Sequence, residues 1–227
     1  MLKLLSVLFL LLLAGCAGLQ RPPIEYTPGA VLETLSSEVS ISVHATDRSM
    51  GGHGYLVYRR PDQLHLVLLS PFGNTLFEIF ALGERVTLLY PAQSMAYSGR
   101  FDELPEKGGL QGWRFMRWML DLDPPVENRF SGTVQRMGRL GFKETVSFEN
   151  GLAVSKTAQS GEQVYYSGYK VFNGVPVATE VELRNERDDR IRIVFDEPEV
   201  NTHIDASAFT PGIAGMKILP LSELQGL

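Results

Sequence analysis

Between residues 38 and 45 the chain alternates with a period of two. Val39, Ile41, Val43 and Ala45 are apolar, and Glu38, Ser40, Ser42 and His44 between them are polar. That period marks a strand with one buried face. Similar runs follow at 54–60, 63–70, 75–82, 85–90 and 94–98. The links Pro61-Asp62, Gly73-Asn74, Gly83-Glu84 and Pro91-Ala92 are short and turn-forming, so neighbouring strands must run antiparallel. The alternation stops near Phe101. Trp113, Met116 and Leu120 then recur at helical spacing, Phe115 and Trp118 widen the apolar face, and Asp123-Pro124-Pro125 ends the helix. Strand patterns resume at 132–137, 142–149, 152–158, 163–171, 177–184 and 190–196. Asn150-Gly151, Ser160-Gly161, Asn173-Gly174 and Asp188-Asp189 divide them, and Asn-Gly is a strong hairpin signal. Ahead of the first strand, Thr27-Pro28 offers an N-cap and a first-turn proline, and Val31, Leu32 and Leu35 share a face. These predict a short helix over 27–37. The tail, 204–227, is less regular.

The elements sum to a mainly-β chain with an α lid, an α+β fold. About eleven antiparallel strands form one strongly curved sheet, an incomplete barrel whose concave face the two helices cover. Each strand has one apolar face. Leu64, Leu66 and Leu68 share a parity; Phe77 and Ile79 oppose Glu78; Val181 and Leu183 oppose Glu180 and Glu182; Ile191 and Ile193 oppose Arg190 and Arg192. Alternation does not separate a packed core from a lined pocket. Two features bear on the choice: few helical residues are available to cover many strands, and the central helix carries Trp, Phe and Met side chains that repack easily around an apolar guest. On pattern alone the two readings stand level.

Composition narrows the chemistry. Of 227 residues, 44% are hydrophobic and 21% charged, so the chain is a folding one, and its net charge of −5 with no Lys/Arg block argues against a nucleic-acid partner. A single cysteine excludes an internal disulfide and a multi-cysteine metal site. There is no Gly-x-Ser-x-Gly elbow and no His-Glu-x-x-His, and Gly51-Gly52-His53-Gly54 lacks the ending of a phosphate-binding loop. His44, His53, His65 and His203 stand in separate elements. Asp102, Glu103 and Glu106 read as a solvated acidic loop, as do Asp196, Glu197 and Glu199. No enzyme and no cofactor are expected.

At the N-terminus Lys3 precedes an apolar run over 4–13, half of the roughly 20 residues that a membrane-spanning helix needs. A basic residue, a short apolar run and then Ala14-Gly15 describe a secretory signal. Leu13-Ala14-Gly15-Cys16 resembles a bacterial lipobox, with a plain secretory signal or a buried N-terminal segment as the alternative. The resemblance implies a signal peptide over 1–15, lipidation at Cys16, a tether over 16–27 and one domain over 28–227. The eleven residues after Cys16, Ala17 to Thr27, reach about 35 Å. Ala17 in the place of Asp implies the periplasmic face of the outer membrane.

Further motifs carry a family resemblance. Leu66 to Ile79, with Ser70-Pro71-Phe72-Gly73 between two apolar strands, resembles the strand–loop–strand of LolB, the outer-membrane lipoprotein receptor family. Gly112-Trp113-Arg114-Phe115-Met116-Arg117-Trp118-Met119-Leu120 is similar to its central helix. Val164-Tyr165-Tyr166-Ser167-Gly168-Tyr169 is similar to its Tyr-Gly-Gly-Tyr strand, and Pro176 with Val181-Glu182-Leu183 to its Pro…Met-Glu-Leu element. The segment 204–211 is closer to LolA-like periplasmic carriers. The resemblance implies a cavity lined by Leu64, Leu66, Leu68, Phe77, Ile79, Trp113, Met116, Trp118, Leu120, Val181, Leu183, Ile191 and Ile193. It implies a membrane-inserting loop at Phe72, flanked by Pro71 and Gly73. It also implies a LolA-type carrier and its lipoprotein cargo as partners of a monomeric receptor. A lipoprotein of this fold carrying another lipid, or serving as a non-enzymatic assembly scaffold, is the alternative.

Overall fold

The computed structural model describes residues 24–45, 48–104, 115–124, 126, 129–139, 141, 143–187 and 189–224. Its strands are β1 (Thr34–Ala45), β2 (Arg48–Arg59), β3 (Gln63–Leu69), β4 (Thr75–Leu82), β5 (Arg85–Tyr90), β6 (Met95–Arg100), β7 (Gly132–Met137), β8 (Lys143–Glu149), β9 (Leu152–Ala158), β10 (Gln163–Phe172), β11 (Val175–Arg184), β12 (Arg190–Val200) and β13 (Lys217–Pro220). All belong to one sheet in the order β13-β6-β5-β4-β3-β2-β1-β12-β11-β10-β9-β8-β7. The architecture is two meanders, β1–β6 and β7–β12, zipped together where β1 pairs with β12 from Leu35↔Val200 to His44↔Arg190. The chain leaves the centre, reaches one edge at β6, crosses to the far edge at β7 and returns.

The hairpins form where the turn chemistry asks for them. Asn150 and Gly151 have φ of +50° and +83°, and Asn173 and Gly174 have +50° and +80°. That left-handed pair closes a two-residue turn whose twist matches the strands. In-phase apolar residues then share a face: Leu66 sits opposite Ile79, Leu68 opposite Phe77, Val181 opposite Ile193 and Leu183 opposite Ile191.

Three expectations change. The predicted helix over 27–37 is absent. The Thr27 N–H donates to Gly174 O (2.9 Å), Gly29 takes φ +72° in a tight turn, and Leu35 joins the sheet opposite Val200 and Tyr58. Strand pairing on both sides of β1 outweighs a local helical preference. The strands number thirteen among the described residues, rather than about eleven. The added strand, β13, lies in the irregular tail and runs parallel to β6, with Lys217 opposite Met95. Helical cover is slight: the α-helix among the described residues is Met116–Leu120, all five of its residues buried, so no helical lid is seen there. Trp113 falls outside the described residues.

The tail also closes part of the other face. Phe80, Leu89 and Ala96 form a small second cluster against Met216, and Arg59 stacks over Phe209 at 4.8 Å.

Candidate functional site

The lining candidates on the strands and helix come together. Leu64, Leu66, Leu68, Phe77, Ile79, Met116, Trp118, Leu120, Val181, Leu183, Ile191 and Ile193 are at most 5% exposed and belong to one apolar cluster. That cluster spans both meanders. Between β3–β5 and Met116, bounded by Leu64, Ile79, Leu88 and Phe101, a hollow of about 10 Å³ remains. This is room for about one water molecule.

The helix is held from both sides. Arg117 donates to Gly83 O and to Glu84 (3.1 Å) in the β4–β5 turn, and its guanidinium lies 4.5 Å over the Phe101 ring. On the other side the Trp118 indole N–H donates to Glu144 Oε2 of β8 (2.5 Å), and the Tyr166 hydroxyl of β10 donates to Met119 O (3.0 Å).

Below the helix lies a buried ionic group that the periodicity does not announce. Lys156 is fully buried. Its ammonium donates to Asp121 O and lies 3.2 Å from Asp123 Oδ2, an ion pair without the angle of a hydrogen bond. Arg136 ties Asp123 to Glu144, with Nε–Oε1 at 2.8 Å, and Arg139 pairs with Asp121. Burial, with the charges of Asp123 and Asp121 adding to it, pushes the Tyr166 hydroxyl well above its usual pKa. One signal was available: Lys156 stands in register with Val146 and Val164, both fully buried, on the inward side of β9.

The β3–β4 loop presents its aromatic outward. The Ser70 N–H donates to Asn74 O (2.8 Å), the Gly73 N–H to Ser70 O (2.9 Å), and Ser70 Oγ accepts from Phe72 N–H (3.3 Å) and Asn74 N–H (3.1 Å). Gly73 takes φ +81°, which closes the turn in a conformation that suits glycine. With the backbone satisfied so tightly, Phe72 has nothing to fold against and is 90% exposed.

Of the acidic loop, Glu106 falls outside the described residues, and the other two are held locally by Arg100. Asp102 pairs with Arg100 (3.2 Å), and Glu103 accepts the Arg100 backbone N–H (3.2 Å). His65 pairs with Glu78 (3.0 Å), while His44 and His53 bond serines.

One mainly antiparallel sheet, with one face apolar across both halves, places the chain in the fold shared by LolA-superfamily structures. A putative outer membrane lipoprotein-sorting protein domain from Vibrio parahaemolyticus superposes with a TM-score of 0.56 at 11% identity, covering 78% of this chain and 89% of that one. A LolA superfamily protein from Nitrosomonas europaea gives 0.54 at 12%, covering 80% and 92%. A DUF1329 family protein from Desulfovibrio piger gives 0.57 at 10%, covering 79% and 90%. No curated protein sequence matches the chain. The sequence model of the outer membrane lipoprotein LolB family matches residues 34–197, and the chain belongs to that family. It is an outer membrane lipoprotein of a non-enzymatic family.

Proposed function

We propose that this protein is a lipid-anchored receptor that takes lipoprotein acyl chains into its apolar interior and passes them to the outer membrane. Cys16 carries the anchor, and a soluble LolA-type carrier delivers the cargo. The observation that carries the reading is the single apolar cluster built from both meanders around Met116–Leu120.

In this reading the sheet wraps around that helix as an incomplete barrel. Support comes from adjacent residues: Arg117 reaches the β4–β5 turn and Trp118 reaches β8. From β4 the sheet order counts β3, β2, β1, β12, β11, β10, β9 and β8, eight steps. At about 4.8 Å each, a flat sheet would put them roughly 38 Å apart, beyond the span of two neighbouring side chains.

The hollow beside Met116 measures about 10 Å³, whereas ligand pockets run to roughly 300–1,000 Å³. In this reading cargo makes room for itself beside the helix, and Met116, Trp118, Met119 and Leu120 are the side chains that yield their place to it. An acyl chain burying about 12 CH₂ groups gains on the order of 10 kcal/mol on leaving water. Passage through water is correspondingly slow, and with no nucleotide site in the sequence the transfer is a covered exchange down an affinity gradient. The packed apolar cluster also suits an assembly scaffold of the same fold.

The test uses the full-length acylated protein in phospholipid vesicles, offered an acylated lipoprotein on a soluble LolA-type carrier. Uptake and insertion into the vesicles are expected. Phe72→Glu should leave uptake within twofold and lower insertion about tenfold, the effect of replacing one buried aromatic contact by a charge. Unchanged insertion removes the loop's role. Failure of the unaltered protein to take up any cargo leaves the scaffold.

A further inference from the structure

The end of the sheet that carries Phe72 differs in charge between its two outer parts, which the β1–β2 connection, with Asp47, separates. In the half made of β3, β4, β5, β6 and β13, the connections at that end are Ser70-Pro71-Phe72-Gly73-Asn74, Pro91-Ala92-Gln93-Ser94 and Pro211-Gly212-Ile213-Ala214-Gly215-Met216. None contains a charged residue, in a chain where 21% of residues are charged. The corresponding turns of the β7–β12 half carry Arg139, Glu162, Glu186 and Arg187. The third uncharged connection belongs to this end because β13 runs parallel to β6, and the Lys217 N–H donates to Ser94 O (2.9 Å).

The third connection is itself a built turn. The Met216 N–H donates to Ile213 O (3.1 Å), and Gly215 takes φ +77°. Met216 packs under it against Phe80, Leu89 and Ala96, which fixes the turn to the sheet. Ile213 is left 38% exposed, and Ile218, two residues into the strand, 54%. On the neighbouring hairpin Phe72 is 90% and Leu76 47% exposed.

We propose that the turn 213–216 is a second membrane contact, so that the uncharged end of the β3–β6 and β13 half seats on the bilayer as a surface rather than through Phe72 alone. The occupant is a phospholipid surface. A protein partner recognised at a rim ordinarily meets charged as well as polar groups; the three connections here carry uncharged polar residues such as Asn74 and Gln93 but no charge, which suits the hydrocarbon–headgroup boundary. Lys217, the first charge after the turn and exposed, then lies level with lipid phosphates, as cationic side chains at such a boundary do. Two contacts set the tilt of the molecule where one would leave it free to swivel. This inference rests on the receptor reading above.

The experiment reads depth. In the full-length acylated protein, single thiols are introduced by Phe72→Cys, Ile213→Cys and Ser160→Cys and labelled with an environment-sensitive fluorophore. The protein sits in vesicles of phosphatidylethanolamine and phosphatidylglycerol containing nitroxide-labelled lipids. Probes at 72 and 213 are expected to be quenched at least threefold more than the probe at 160, which lies at the same end on the charged half. Quenching at 72 without quenching at 213 overturns the second contact and leaves the receptor reading standing. Quenching at neither position overturns both. Protection at 213 by the soluble carrier protein instead of by lipid assigns the turn to a protein interface and overturns the proposal. Ile213→Glu, at an exposed turn position, is expected to slow insertion severalfold while uptake from the carrier and the urea midpoint are unchanged.

Discussion

Lys156 shows how one side chain can be out of place in its strand and in place in the molecule. Its neighbours across the sheet are Val146 and Val164, and it is fully buried. Asp123, 3.2 Å away, and the carbonyl of Asp121 make the charge tolerable there. Removing Lys156 leaves Asp123 Oδ2 and the Asp121 carbonyl buried without their cation, with Arg136 still on Asp123 Oδ1. Lys156→Ala is therefore expected to lower stability by about 3–5 kcal/mol in urea unfolding. Combining Lys156→Met with Asp123→Asn removes both charges and should recover most of that loss. Recovery no better than the single substitution would mean that the lysine acts through packing instead. The two groups differ in how far the sequence exposes them. Phe72 was legible because a Pro-Phe-Gly tip between paired strands has too few atoms to cover a ring. The ionic group was not, because its members lie on β7, β8, β9 and the loop after the helix, and Lys156 is separated from Asp121 by 35 positions. No local period links residues that only the sheet order brings together.

At the scale of elements, β2 is the strand whose sequence least resembles one. Gly51, Gly52 and Gly54 interrupt its alternation, yet it runs from Arg48 to Arg59 and pairs on both sides. The reason is close approach: a Cβ on Gly54 would stand 1.8 Å from Val67 O, and one on Gly52 3.0 Å from the Leu68 side chain. Backbone cannot yield as a flexible side chain can. Gly54→Ala is expected to cost about 3 kcal/mol, measured by the same urea midpoint, whereas Gly73→Ala, with open space around its Cβ, pays only for its positive φ, about 1 kcal/mol. Most of the strands were legible from period and turn chemistry, because a half-buried antiparallel strand writes its burial directly into alternation. Two elements were misread for one physical reason. Residues 27–37 look helical in isolation, and β13 looks irregular; each takes its form from a strand supplied by a distant part of the chain, β12 for the first and β6 for the second.

For the whole molecule, the N-terminal segment and the Phe72 loop sit at opposite ends of the sheet. Tyr26 donates to Asn150 O (3.2 Å) and Thr27 to Gly174 O (2.9 Å), both at the turns furthest from Phe72. In the proposed orientation the acylated Cys16 and Phe72 meet one bilayer, so the segment that ends at Thr27 needs a reach comparable to the length of the sheet. β10, with ten residues, spans about 34 Å. The eleven residues from Cys16 to Thr27 reach at most about 36–40 Å. The margin is small, so the proposed orientation requires nearly the full length of this segment. Deleting residues 18–23 leaves a reach of about 18 Å, enough to hold the protein at the membrane and too little to let it stand on its Phe72 end. The shortened protein is expected to fractionate with membranes and to take up cargo, while inserting it into vesicles at least tenfold more slowly. An insertion of six Gly/Ser residues at the same place should keep delivery within twofold, because extra length relaxes a limit of reach. Equal delivery by the shortened form would mean that the domain lies on its side, with the sheet axis along the membrane plane, and that the anchor places no constraint on which end makes contact.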